Sequence, residues 1–272
     1  MKKVLTLTNK YLIIATPLLL FLFFICLYFM FMMQNGQGIR VLFGFILIFF
    51  MSVAFVAGWG NMVKSAVNEQ NYDEPYLIIK DFIPGVGEYF LSVLGAIVLF
   101  VFVNILVYAG SYFAGMHFIG DIGVSSEALS KAMSGQEALK SFLYSLDVQQ
   151  LVKLNLWNIL LLSVTTVMYF FFMFYFPALF LESKNPLKAI IITLQRTFCK
   201  KFLLNIGIYL VIFVINFIIS ILSALFAGNY IMNFIMSLVN FYFICAVAIG
   251  VFYYYNKTFI NSHLGSSIDT YI

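Results

Sequence analysis

Six runs without a single charged residue constrain this chain more than anything else in it: Tyr11 to Met33, Val41 to Met62, Tyr89 to Phe113, Leu156 to Leu181, Phe202 to Ala227 and Tyr230 to Tyr254. Each exceeds the roughly 20 apolar residues that an α-helix needs to cross the hydrocarbon core of a bilayer. None shows the period-two alternation of a membrane β-barrel strand. In hydrocarbon, backbone N–H and C=O groups have to pair within their own segment, so the runs read as spanning helices. The expected fold is all-α: a polytopic membrane helix bundle with about six spans, one membrane domain over residues 1–272.

Composition agrees. Charged residues make up 10% of the chain, against about 25% in a soluble domain. They stand between the apolar runs and are not interleaved with them, which excludes a water-soluble fold. Met-Lys-Lys followed by an apolar stretch looks like a secretory signal, but the stretch is too long and Gln34-Asn35-Gly36-Gln37-Gly38 offers no small-x-small cleavage site. The first span therefore reads as an uncleaved signal anchor. Cys26, Cys199 and Cys245 are too scattered for a disulfide framework or a metal site.

Orientation follows from the basic residues. With the N-terminus inside, only Arg40, Lys131, Lys140 and Lys153 of the 15 Lys and Arg fall outside, the bias expected of cytoplasmic loops. Both termini are then cytoplasmic, and the expected location is a bacterial inner membrane.

Two cytoplasmic connections carry their own pattern. From Asp73 to Glu88, Pro75 suits a first helical turn, apolar residues follow, and Pro84-Gly85 is expected to end the helix. From Asn185 to Lys201, Asn185-Pro186 opens a segment through Leu187, Ile190, Ile191, Leu194 and Phe198, with Lys188, Gln195 and Arg196 elsewhere on the wheel. Both read as amphipathic helices in the headgroup region. Outside, residues 120–150 carry two capping-box patterns, Ser134-Gly135-Gln136-Glu137 and Asp147-Val148-Gln149-Gln150, which predict one or two short helices. Leu129, Met133, Leu139, Phe142, Leu143 and Leu146 would lay them on the membrane or over the bundle mouth.

An internal repeat is also expected. Gly95, Asn104 and Ser111 share their spacing with Gly207, Asn216 and Ser223, and Phe113-Ala114-Gly115 and Phe226-Ala227-Gly228 close the two runs. Both spans run from inside to outside, so the repeat would be parallel.

Functional candidates are few. Asn104 and Ser111, like Asn216 and Ser223, lie seven apart on one helix face. They suit either a polar path through the bundle or interhelical hydrogen bonds, and the second is the commoner use. Asn240, Ser163, Thr165 and Thr166 are weaker cases, and Pro17 and Pro177 are expected to bend the first and fourth spans. No Asp, Glu, Lys, Arg or His lies well inside a run, which disfavours ion coupling through a buried charge. His117 and His263 lack ligand spacing, so no metal or cofactor is expected. Asp73, Glu74, Asp81 and Glu88 read as solvating an interfacial helix. Lys184, Lys188, Arg196, Lys200 and Lys201 form a basic set suited to anionic lipid headgroups.

The stretch Phe176-Pro177-Ala178, Asn185-Pro186-Leu187-Lys188-Ala189, Arg196 and Lys200-Lys201 leading into a long apolar helix resembles a group of bacterial membrane proteins. The group includes the membrane domain fused to some glycerophosphodiester phosphodiesterases and its stand-alone YciC-type relatives. The resemblance is specific only around residues 176–216. It implies a six-helix bundle with interfacial cytoplasmic helices and transfers no catalytic residue, since the soluble metal-binding barrel of the fused enzymes has no counterpart here. The functional expectation is a non-enzymatic membrane protein that organises the membrane or a complex, touching anionic lipid and other membrane subunits but no nucleic acid. The alternative is a transporter or permease component for a small solute or lipid.

Overall fold

The computed structural model describes residues 2–35, 39–68, 74–132, 134–226 and 228–261. Asp73, Met133, Ala227, His263 and residues 36–38 lie outside them. The described residues are helical and contain no strand: α1 Lys2–Lys10, α2 Ala15–Asn35, α3 Ile39–Val67, α4 Phe82–Phe118, α5 Ser126–Ala132, α6 Gln136–Ser145, α7 Val148–Phe172, α8 Tyr175–Leu181, α9 Pro186–Thr197, α10 Phe202–Leu225 and α11 Tyr230–Tyr255. Shorter 3-10 turns occupy Leu12–Ile14 and Pro75–Asp81, and a π turn covers Asn256–Ile260. Six stretches are long and apolar enough to cross a membrane: Leu12–Phe31, Val41–Val67, Pro75–Phe118, Val148–Leu181, Phe202–Leu225 and Tyr230–Ile260. The chain is a multi-pass integral membrane protein with an all-α fold.

Prolines decide where three of these stretches begin or break. Pro17 and Pro84 each sit in the first turn of a helix, α2 and α4, where backbone N–H groups have no intrahelical partner to lose. Pro84-Gly85 therefore does not end a helix, contrary to the reading from sequence. A 3-10 turn from Pro75 runs directly into α4. Pro17 likewise starts its helix, and the irregularity in the first span is the 3-10 turn before it. Pro177 does interrupt the fourth span. It cannot donate to the Met173 carbonyl and its ring crowds it, so α7 stops at Phe172 and α8 restarts at Tyr175.

Packing divides the chain into two units, residues 1–99 with 171–272, and residues 100–170. In the first unit the core gathers at one end of the helices. Tyr11, Met62, Ile78, Tyr89, Phe174, Tyr175, Leu179 and Tyr255 are buried there, while Phe45, Leu47, Leu210, Phe217 and Phe234 further along remain exposed, as lipid-facing residues would be. A Cβ on Gly58 would press on the Phe82 carbonyl, and one on Gly85 on Asn61 and the Ala57 carbonyl. Glycine at both positions lets α3 and α4 approach, and Asn61 Nδ2 then donates to the Asp81 carbonyl (3.0 Å).

In the second unit, the end of α4 folds back on α7. A side chain at Gly115 would overlap the Trp157 ring, whose Nε1 donates to the Gly120 carbonyl (3.1 Å). Gly120 and Gly123 take positive φ in the turn, which glycine adopts without Cβ strain. Tyr108 Oη lies 2.8 Å from Thr165 Oγ1, which donates to the Leu161 carbonyl. Two short helices, α5 and α6, fill residues 120–150 as expected, with Leu139 and Leu143 exposed.

Candidate functional site

The basic set lies around α9 in the first unit, and local chemistry explains how α9 is held. Asn185 is extended and its Oδ1 accepts from the Leu187 and Lys188 backbone N–H groups (3.0 and 3.2 Å), with Pro186 at the first helical position. This is an N-cap of the preferred kind. At the other end, Asn205 reaches back from α10. Its Nδ2 donates to the Arg196 and Thr197 carbonyls, both at 3.0 Å, and its Oδ1 accepts from Tyr254 Oη (2.8 Å). Two of the C-terminal carbonyls that an α-helix leaves unsatisfied are thereby paired.

The fully buried residues of α9 are small or polar, and Ile190 and Ile192 pack partly against the core beside them. Ala189, Thr193 and Thr197 are buried, and Thr193 Oγ1 donates to the Ala189 carbonyl. Of the apolar residues that the sequence displays, Leu187, Ile191, Leu194 and Phe198 are exposed, whereas Ile190 is partly buried against the core.

The five basic residues divide into two groups. Lys184 Nζ meets Glu88 Oε1 at 2.9 Å and lies over the Tyr89 ring. Arg196 forms a two-pronged pair with Glu182 through Nε and Nη2, both at 3.3 Å, and its guanidinium stacks over Phe259. Tyr255 Oη donates to the same carboxylate. Burial alone would lower the Arg196 pKa, but the hydrogen bond and charge of Glu182 more than offset it, so the guanidinium is held above its ordinary value. Lys188, Lys200 and Lys201 are exposed and have no carboxylate partner among the described residues.

The chain has no match among protein-family models, curated proteins or solved structures. Its site therefore stands on its own residues.

The intramembrane polar candidates fall in both units. Asn104 and Ser111 lie in the unit of residues 100–170, where Asn104 Nδ2 donates to the Phe100 carbonyl (2.7 Å) and Ser111 Oγ to the Val107 carbonyl (2.7 Å). Asn216 and Ser223 lie on α10 in the other unit. Asn216 is exposed with its backbone carbonyl accepting from Ser220 Oγ, and Ser223 is half-buried. The paired glycines of the expected repeat have unlike surroundings. A Cβ on Gly95 would press on the Pro186 ring, whereas Gly207 and Gly228 have open space and Gly115 faces Trp157.

Glu182, Asn205, Tyr255 and Lys64 were not singled out from sequence. Lys64 Nζ donates to Tyr89 Oη at 2.6 Å. Each sits at a span boundary, where a polar residue is ordinary, and its side-chain partner is 14 to 73 residues away. No periodicity marks such a contact.

Proposed function

We propose that this membrane protein is non-enzymatic and organises the bilayer, or an assembly within it, by holding anionic lipid headgroups along α9. The observation that carries this reading is the exposed set Leu187, Ile191, Leu194 and Phe198 beside Lys188, Lys200 and Lys201, which have no carboxylate partner among the described residues. An apolar face flanked by lysines is what a helix lying in the headgroup plane requires. The carboxylates nearby support the non-enzymatic part. Glu88 and Glu182 are committed to Lys184 and to Arg196 with Tyr255, contacts that join elements together.

Kinship with the membrane domain of glycerophosphodiester phosphodiesterases, and a bacterial inner membrane with this end cytoplasmic, belong to the same proposal. The anionic lipids of the inner leaflet would then face α9. A transport path draws less support, because the Asn104 and Ser111 side chains return to their own helix, a bond that needs neither partner nor solute.

The test is a Lys188→Gln, Lys200→Gln, Lys201→Gln variant purified in mild detergent. At about 1 kcal/mol per surface charge, the ratio of anionic to zwitterionic lipid that co-purifies falls several-fold, and added salt reproduces part of the loss. An unchanged ratio in a folded variant sinks the reading.

A further inference from the structure

We propose that a second site in the first unit, a cavity where α1, α3, α8 and α11 end, binds a phosphate-bearing anion. It has a volume of about 790 Å³ and is lined by Lys3, Lys64 and Lys257, by Asn68, Asn256 and Asn261, and by Val67, Leu181, Tyr253 and Ile260. Among these residues there are three ammonium groups and three carboxamides but no carboxylate. The site shares no residue with α9 and does not rest on the reading of that helix.

The surroundings hold the cations facing one space. Lys3 Nζ lies over the Tyr253 ring at 5.5 Å, and Lys64 Nζ donates to the Tyr89 hydroxyl at 2.6 Å. Lys257 has no partner among the described residues. Asn256 Nδ2 donates to Asn68 Oδ1 at 3.0 Å, which fixes both amides and leaves the Asn68 NH2 group to donate.

The backbone makes an independent contribution. The α11 helix widens at its end into a π turn, closed by the Asn261 N–H on the Asn256 carbonyl. The wider turn puts Asn256, Lys257, Ile260 and Asn261 on the wall of one cavity, and π turns within helices recur at functional sites.

Three lysines and three carboxamides lining one cavity suit a phosphate ester, with the amides left to bind its oxygens or adjoining hydroxyls. The volume lies within the range of small-molecule sites and exceeds what one phosphate needs. Leu181 and Tyr253 place the cavity at the ends of the spans, the level of headgroup phosphates. The chemistry is shared by an anionic lipid headgroup and by a water-soluble phosphate ester.

The experiment titrates the detergent-solubilised full chain at fixed salt with short-chain phosphatidylglycerol, with short-chain phosphatidylcholine and with inorganic phosphate. Binding of phosphatidylglycerol over phosphatidylcholine, without inorganic phosphate competing, supports the site and identifies a lipid headgroup. Binding of inorganic phosphate identifies a soluble ligand. In either case Lys257→Gln weakens binding about fivefold, Lys3→Gln with Lys257→Gln weakens it further, and the α9 variant leaves it unchanged. Lys257 is exposed, so its loss leaves the melting temperature where it was. Failure to bind any of the three, equal binding of both lipids without phosphate binding, or affinity that survives both lysine changes overturns the proposal.

Discussion

Asn205 holds three elements with one side chain. It is fully buried, donates to the last carbonyls of α9 from α10, and accepts from Tyr254 of α11. Asn205→Leu orphans those carbonyls and the phenol, at about 1–3 kcal/mol for a buried group left unsatisfied. The melting temperature of the detergent-solubilised protein therefore drops by several degrees. Asn216→Leu has no such consequence, because the Asn216 side chain is exposed and no hydrogen bond to it is seen among the described residues. A change within about 0.5 kcal/mol is expected there. Equal losses in the two variants would refute this assignment. Sequence alone singles out Asn216, which stands deep in an apolar run, and passes over Asn205, near the charged end of the same run. Only the fold shows that the first turn of α10 is where α9 and α11 converge.

Elements were legible where their signals are local. Both Asn-Pro at the start of α9 and Asp147 before α7 act as read: Asp147 Oδ1 accepts from the Gln150 N–H at 2.7 Å, and Gln150 Oε1 accepts from the Asp147 N–H at 3.1 Å. The other capping pattern misled. Ser134 Oγ donates backward to the Lys131 carbonyl, and the residue at the start of α6 is Gly135, with no side-chain bond. A serine hydroxyl serves either as donor or as acceptor, and the pattern cannot say which helix it will serve. Asp147→Ala accordingly costs about 1 kcal/mol, seen as faster amide hydrogen exchange in the first turn of α7, while Ser134→Ala leaves exchange in the first turn of α6 as it was. The packing face of α9 was hidden for a different reason. In water the apolar stripe would be the buried one, but here Ala189, Thr193 and Thr197 are buried, and Leu187, Ile191, Leu194 and Phe198 are left for a solvent that is itself apolar.

At the scale of the molecule, six spans were readable because the length and apolarity of each run are set by the bilayer and need no tertiary information. The clustering of the core at one end was not readable, since it depends on which exposed residues face lipid. That end is also the one where Lys3, Lys64, Lys184, Lys188, Arg196, Lys200, Lys201 and Lys257 gather, so stability, charge and both proposed sites share it. Insertion retains Lys and Arg in short loops on the cytoplasmic side, and reversing the molecule would require most of its basic residues to cross. The expected orientation puts Ser134 outside and Asn261 inside. In a background with Cys26, Cys199 and Cys245 changed to Ala, a membrane-impermeant thiol reagent on intact cells then labels Ser134→Cys and leaves Asn261→Cys unlabelled until the cells are permeabilised. The opposite pattern would turn α9 and the lysine cavity to the outer face, away from the anionic inner leaflet. The lipid role of α9 would fall with it, while the cavity would keep its chemistry and change only the compartment that supplies its anion.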